Sequence, residues 1–65
     1  MPVINGEIYN NVANISLINF LNDNNYNVER IAVIINDLII SKEDYEKTFL
    51  QENDFVNIVN FVQGG

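Results

Sequence analysis

Short apolar segments alternate with asparagine-rich or acidic segments along most of the 65-residue chain. The first apolar pair, Val3 and Ile4, lies within residues 1–5 and is followed by Asn5-Gly6 and by residues 7–10. Asn-Gly favours a type I′ turn, because both central residues of that turn need φ > 0. The pattern therefore predicts a β-hairpin.

A helical period follows the hairpin. Leu17, Phe20 and Leu21 have the spacing i, i+3 and i+4, so they share one face of a helix that runs to about Asp23. Ser16 is a favourable N-cap, and the asparagines that follow tolerate the left-handed backbone that ends helices. A helix this short is not stable alone in water, so we expect it to pack across a sheet.

Two apolar segments around an Asn-Asp pair come next. Ile31–Ile35 is nearly all β-branched, which indicates a strand buried on both faces or a strand with one face that awaits a partner. Asn36-Asp37 predicts a turn, and Leu38–Ile40 predicts a short return strand.

The last third of the chain contains an irregular segment and one more strand. Ser41 is expected to cap a single helical turn, and residues 48–50 to pack inward. A tight turn at residues 52–54 then leads into a strand from Phe55 to about Phe61. We interpret the frequent asparagines as a bias of composition.

The order of elements is hairpin, helix, strand, short excursion and strand. The compact fold that fits this order is an α+β fold with a mixed sheet and one helix across one face. In it, the first and last strands are adjacent and parallel. This is the β-grasp arrangement. No linker or repeat interrupts it, so residues 1–65 are expected to form a single domain, with 62–65 as a flexible tail.

Charge narrows the classes of partner. Nine acidic residues oppose three basic ones, for a formal net charge of −6. Nucleic-acid binding requires many Lys and Arg contacts to phosphate, so nucleic-acid partners are not expected. An anionic membrane surface is disfavoured as well. A basic docking face on a partner protein would suit the acidity, although solubility explains it equally well. No signal peptide or membrane span is visible, so a cytoplasmic protein is expected.

Catalytic side chains are scarce. The chain has no His, Cys or Trp, which excludes Ser-His-Asp and Cys-His arrangements and the usual zinc sites. The pairs Glu43/Asp44 and Glu52/Asp54 lie in predicted turns, where solvated charges are expected. We therefore expect no catalytic residue, no metal site and no enzyme activity.

The chain ends in Gln63-Gly64-Gly65. Glycine accepts almost any backbone conformation, so such a tail could thread a narrow channel and present the Gly65 carboxylate. Taken alone, the dipeptide is more typical of a frayed terminus.

Three segments together resemble the ubiquitin-like sulfur carriers, specifically the ThiS family of thiamine biosynthesis. They are Val3–Glu7, Ala32–Ile40 and the stretch from Asn53 to Val59 with the diglycine end. Length and spacing fit this family better than the longer molybdopterin-synthase small subunits. Asn53-Asp54 stands where the family often has Gly-Asp, and asparagine should preserve a turn that needs positive φ.

The resemblance implies a function. The Gly65 carboxylate would be adenylated and converted to a thiocarboxylate, and Gly64 would give the tail passage into a partner. The implied partners are a ubiquitin-activating-enzyme-like adenylyltransferase that uses ATP and Mg, a cysteine desulfurase or other sulfur donor, and thiazole synthase. A molybdopterin-type carrier and a non-covalent β-grasp interaction module are the alternatives.

Partner docking is expected on the sheet face that the helix leaves uncovered. Val59 and Phe61 share parity next to the tail, and Ala32 and Ile34 are candidates on the neighbouring strand. The opposite parity, with Val56 and Ile58 exposed, stays open at this point because Asn57 and Asn60 do not alternate cleanly.

Overall fold

The computed structural model describes residues 1–61. It contains strands β1 (Val3–Ile4), β2 (Glu7–Ile8), β3 (Ile31–Ile35), β4 (Leu38–Ile40) and β5 (Phe55–Asn60), the helix α1 (Leu17–Asp23), and short 3₁₀ turns at Val28–Arg30 and Lys42–Asp44. The strands form one sheet in the order β2-β1-β5-β3-β4.

The predicted β-grasp topology is confirmed. β1 and β5 are adjacent and parallel, whereas β1 pairs with β2, and β3 with both β4 and β5, in the antiparallel sense. The strand that leads toward the C-terminus is therefore central in the sheet. β5 ends at Asn60, one residue earlier than the sequence pattern indicated.

Helix α1 has the predicted bounds and the predicted cap. The Ser16 hydroxyl accepts a hydrogen bond from the Asn19 backbone N–H at 3.2 Å, and Ser16 itself has extended dihedral angles. Leu17, Phe20 and Leu21 are all buried against the sheet. The prediction that this face packs on the sheet is therefore confirmed.

The core lies between α1 and one face of the sheet. Beyond the helix residues, its buried apolar members are Ile4, Ile31, Val33, Ile35, Tyr45, Leu50, Val56 and Ile58. Each fully buried aliphatic side chain stabilises the fold by about 1.5–3 kcal/mol relative to leaving it in water. All of the buried strand residues have the same parity, so the other face of the sheet has no cover within residues 1–61.

Asparagine has a wider structural role than the individual turn and cap signals of the sequence indicated. Five asparagines adopt positive φ, which few other residues do without strain. They are Asn5, Asn11, Asn14, Asn25 and Asn36. Asn5 (φ 52°) and Gly6 (φ 83°) form the predicted hairpin turn, and Asn36 and Asp37 form the second. The interpretation as a mere bias of composition was wrong.

Two of these asparagines also bond to β5 through their side chains. The Asn5 amide oxygen accepts from the Ile58 backbone N–H at 2.8 Å, and the Asn36 amide oxygen accepts from the Phe55 N–H at 3.0 Å. These backbone donors of the central strand lie where no neighbouring strand offers a carbonyl. The side chains therefore complete the pairing of β5.

Several expectations for the last third of the chain need correction. Ser41 precedes a 3₁₀ turn but makes no side-chain cap bond. Leu50 is buried, whereas Phe49 is 50% exposed. The turn before β5 is present, but Asn53 keeps negative φ. It does not need the left-handed region, because the Asp54 N–H donates to the Gln51 carbonyl and closes an ordinary turn.

Asp54 is buried, contrary to the expectation of a solvated carboxylate. It is 9% exposed. One of its carboxylate oxygens accepts from the Asn36 amide at 3.0 Å, and the other accepts from the Gln51 backbone N–H at 2.8 Å. The polar atoms of this side chain are therefore engaged in structural bonds that hold the start of β5.

Candidate functional site

The face of the sheet opposite α1 is an apolar surface that residues 1–61 leave uncovered. We call it the open face and define it by the strand residues that point away from the core. They are Val3, Ile8, Ala32, Ile34, Ile39, Phe55, Asn57 and Val59, and Phe61 continues the series beyond β5. Contiguous exposed apolar surfaces of this kind mark sites of interaction.

The two predicted docking residues of the last strand lie on the open face. Val59 is 46% exposed and Phe61 is 52% exposed, whereas Val56 and Ile58 are buried at 1% and 6%. The alternation of the strand therefore has the parity that the sequence analysis favoured. Their exposure makes these two side chains accessible to a partner.

The two predicted residues of β3 occupy different places relative to that pair. Ala32 lies directly opposite Val59, but Ile34 lies opposite Asn57. Both are partly buried by their neighbours. Val59 and Ala32 are thus brought into contact distance by the register, whereas Ile34 belongs to the next row.

Sequence reasoning missed three large members of the open face. Phe55 is 56% exposed, Ile39 is 77% exposed and Ile8 is 68% exposed. Phe55 has the same parity as Val59 along β5, so that signal was present in the sequence. Ile8 and Ile39 could not be assigned to this face without the hairpin registers that pair them with Val3 and Ile34.

The route toward the diglycine end begins at the edge of the open face. The Phe61 backbone N–H donates to the Arg30 carbonyl at 2.7 Å, which extends the pairing of β3 with β5 by one residue. Gly64 and Gly65, the predicted passage residue and the predicted site of chemistry, lie outside the described residues.

Residues 1–61 contain no group of three or more His, Cys, Asp or Glu side chains that could hold a metal ion. An open cavity of about 570 Å³ lies near the N-terminus. Its ionic contact, between the Met1 ammonium and Glu52 at 3.3 Å, is largely exposed.

One ionisable group in the described part of the chain has a clearly shifted pKa. Burial raises the pKa of the Tyr45 hydroxyl, and the positive charge of Lys42 opposes the rise. Tyr45 is 2% exposed, and its carbonyl accepts from the Ile18 N–H of α1. Tyr45 lies in the core beneath the helix, so we attribute its raised pKa to packing within the fold.

Within residues 1–61, the helices are too short and insufficiently apolar to cross a membrane.

Comparison with other proteins extends these observations. The model of the ThiS family matches residues 3–65, which include both final glycines. The uncharacterized protein ycf40 of Pyropia yezoensis is 37% identical over 62 residues, covering 95% of this chain and 87% of the relative. The ycf40 protein of Trieres chinensis is 34% identical, covering 95% and 85%.

A solved structure shares the fold. The crystal structure of the thiamine biosynthesis protein (ThiS) from Geobacter metallireducens superposes with a TM-score of 0.79, covering 98% of this chain and 97% of that one. The two chains are 19% identical, so this likeness supports the β-grasp fold alone. Since the family model matches nearly the entire sequence, the chain belongs to the ThiS family.

Proposed function

We propose that this chain is a sulfur carrier that supplies sulfur for thiazole formation in thiamine biosynthesis. One observation supports this most: a ThiS-family match that runs through both final glycines, on a chain whose central strand leads directly to them. In this proposal Gly65 is the C-terminal residue, and its α-carboxylate is the functional group.

The proposed chemistry needs no catalytic side chain from the carrier. A carboxylate oxygen of Gly65 attacks the α-phosphorus of ATP and releases pyrophosphate, which gives an acyl-adenylate. Hydrosulfide then attacks the acyl carbon, AMP leaves, and the product is a thiocarboxylate. The carrier supplies the substrate group, and the partner enzymes supply the catalysis. The lack of His and Cys in the sequence agrees with this division.

ATP and Mg are therefore cofactors of the partner, and the chain itself is proposed to bind no cofactor. The proposed partners are a ubiquitin-activating-enzyme-like adenylyltransferase, a cysteine desulfurase or another sulfur donor, and thiazole synthase as the acceptor. We propose that four residues contribute to docking, because they lie on the open face and two of them come just before the tail: Val59, Phe61, Ala32 and Ile34.

The number of residues after Phe61 limits how far the Gly65 carboxylate can lie from the docking surface. Four residues follow Phe61 in the sequence, and four extended residues span at most about 14 Å. A partner that docks at Phe61 must therefore hold its nucleotide within that distance. We propose that Gly64 has no side chain because the entrance to such a nucleotide site is narrow.

Intact-protein mass spectrometry tests the proposal. The carrier is incubated with a ubiquitin-activating-enzyme-like adenylyltransferase, ATP, Mg and sulfide. The wild-type chain should gain the mass difference between oxygen and sulfur, and fragmentation should assign that gain to Gly65. Gly64→Val should lose most of the gain, because a branched side chain would obstruct the channel. Its thermal midpoint should stay unchanged, because the buried core is formed by residues between Ile4 and Ile58.

A chain extended by one residue after Gly65 is the matched control. The extension moves the carboxylate by about 3.5 Å, and a displacement of about 1 Å can lower a rate on the order of a hundredfold. Equal sulfur incorporation into the extended chain would contradict the proposal. So would a wild-type chain that never gains sulfur from an enzyme active on another carrier, a result that favours the non-covalent interaction module. Sulfur transfer to molybdopterin synthase rather than thiazole synthase would favour the molybdopterin-type alternative.

A further inference from the structure

The acidic residues of the chain avoid the open face. None of the strand positions that define that face bears a charge. The nine carboxylates belong to the helix, the turns, the 3₁₀ segments, the edge strand and the buried side of the sheet: Glu7, Asp23, Glu29, Asp37, Glu43, Asp44, Glu46, Glu52 and Asp54. In a chain of net charge −6, this separation leaves an uncharged surface.

One cation borders the uncharged surface. Arg30 ends the 3₁₀ turn before β3, and its carbonyl accepts from the Phe61 N–H at 2.7 Å. This bond continues the backbone pairing of β3 with β5, so Arg30 lies at the end of that strand pair, beside Phe61 of the open face. Arg30 is therefore next to the root of the tail.

The three basic residues have different environments. Lys42 contacts the Glu29 carboxylate at 2.6 Å. Lys47 is exposed in the loop after the second 3₁₀ turn and is not one of the residues that define the open face. No carboxylate of residues 1–61 lies within ion-pair distance of Arg30. Among the described residues, the arginine is thus a free cation beside an apolar surface.

We infer that Arg30 is a specificity-determining residue of the docking surface and that it pairs with a carboxylate on the partner adenylyltransferase. This inference rests on the proposed function. Docking of an apolar patch on the open face would remove water from the rim where Arg30 lies. A guanidinium that loses water without gaining a partner carries a penalty, so a matching surface must supply an anion there.

The chemistry of arginine favours a carboxylate of the partner protein. The planar guanidinium forms two parallel hydrogen bonds with a carboxylate, which fixes orientation as well as contact. One such pair at the root of the tail would set the direction in which the tail enters the partner. An acidic residue on the partner would also select this carrier against others that lack a cation at the same position.

Binding measured without nucleotide tests the inference directly. The Kd between the carrier and the adenylyltransferase is determined by calorimetry for the wild type, Arg30→Glu, Arg30→Lys and Lys47→Glu. We expect Arg30→Glu to raise the Kd at least about tenfold, because a like-charge pair replaces a hydrogen-bonded ion pair. Arg30→Lys should raise the Kd by less, since it keeps the charge and loses the paired geometry.

Lys47→Glu is the matched control, because it makes the same change in net charge away from the open face. Its Kd should change less than about twofold at physiological salt, where distant exposed charges are screened. An equal effect of Lys47→Glu would show that only net charge matters and would overturn the inference. An unchanged Kd for Arg30→Glu would do so as well.

Two further readouts distinguish a lost docking contact from a lost fold and from a lost nucleotide contact. The thermal midpoint of Arg30→Glu should match that of the wild type, so a loss of fold cannot mimic a loss of binding. If Arg30→Glu leaves the Kd unchanged but raises the KM for ATP, then the anion is a nucleotide phosphate and the inference is wrong. Failure of the wild type to gain sulfur would contradict the proposed function, whereas the nucleotide-free Kd values test Arg30 independently.

Discussion

Replacing Asn36 with glycine isolates what an asparagine side chain contributes to the central strand. Asn36 has φ 51°, which glycine also adopts without strain, so the turn itself should survive. The substitution removes two hydrogen bonds: one from the Phe55 N–H to the amide oxygen at 3.0 Å, and one from the amide nitrogen to Asp54 at 3.0 Å.

The expected loss of stability depends on whether the groups left behind can find other hydrogen-bond partners. A typical intramolecular hydrogen bond contributes about 0.5–1.5 kcal/mol and one to a charged group about 1.5–3 kcal/mol. The Phe55 donor is exposed, so water can partly replace its bond, whereas Asp54 is largely buried. We therefore expect a loss of about 2–4 kcal/mol from the free energy of unfolding. That is a large part of the roughly 3–10 kcal/mol expected for a domain of this size.

Asn25→Gly is the matched control. Asn25 has φ 64°, and within residues 1–61 its side chain makes no hydrogen bond. Both substitutions add the same freedom to the unfolded chain, so the difference between them measures the amide bonds. Urea denaturation should give that difference directly, and the thermal midpoint of Asn36→Gly should lie at least about 8 °C below that of Asn25→Gly. Equal midpoints would refute the argument that the Asn36 amide holds β5.

Two more predictions concern the open face and the core. Val59→Asp should weaken adenylyltransferase binding and leave the thermal midpoint nearly unchanged, because Val59 is 46% exposed. In contrast, Ile58→Asp should unfold the domain, because Ile58 is only 6% exposed and a buried unpaired charge is costly. A large loss of stability for Val59→Asp would place Val59 in the core. The raised pKa of Tyr45 means that the unfolded chain ionises first as the pH rises. Its contribution to stability should be complete below the ordinary tyrosine pKa of 10.0 and should be lost as the pH rises through the folded-state pKa. Tyr45→Phe should lack this alkaline loss in denaturation curves between about pH 9 and 11, and an identical decline in both proteins would contradict the assignment.

The elements could be predicted from the sequence where their signals are local. Asn5-Gly6, the spacing of Leu17 with Phe20 and Leu21, and the apolar segment Ile31–Ile35 each specify a turn, a helix face or a strand without reference to distant residues. The order of those elements then restricts the topology, because adjacent parallel strands require a crossover connection. These local signals are why the hairpin, α1 and β3 agree closely with the sequence analysis.

The side-chain network at the start of β5 could not be predicted in the same way. Asp54 and Asn36 are 18 positions apart, and their contact depends on how far β3 extends along β5. A polar residue in a predicted turn is normally solvated, so local reasoning assigned Asp54 to water. The same limit applies to Ile39, whose place on the open face depends on its pairing with Ile34.

The contacts of two asparagines with β5 also explain why the first residue of each turn is asparagine and not glycine. In the parallel pairing of β1 with β5, the Asn5 N–H donates to the Val56 carbonyl, and the Ile58 N–H then needs an acceptor. The left-handed turn directs the Asn5 carbonyl elsewhere, and its own amide oxygen takes that place at 2.8 Å.

On the other side of β5, the amide oxygen of Asn36 likewise takes the place of a backbone carbonyl. Its N–H donates to the Phe55 carbonyl at 2.9 Å, and its amide oxygen accepts from the Phe55 N–H where a backbone carbonyl would accept in a regular antiparallel pair. Glycine would form either turn but would leave the β5 donor without a protein partner. Asparagine satisfies both requirements at once, since it tolerates positive φ and carries an amide of the same chemistry as the peptide group. The two side chains therefore extend the pairing of β5 beyond the ends of β1 and β3, at Ile58 and at Phe55.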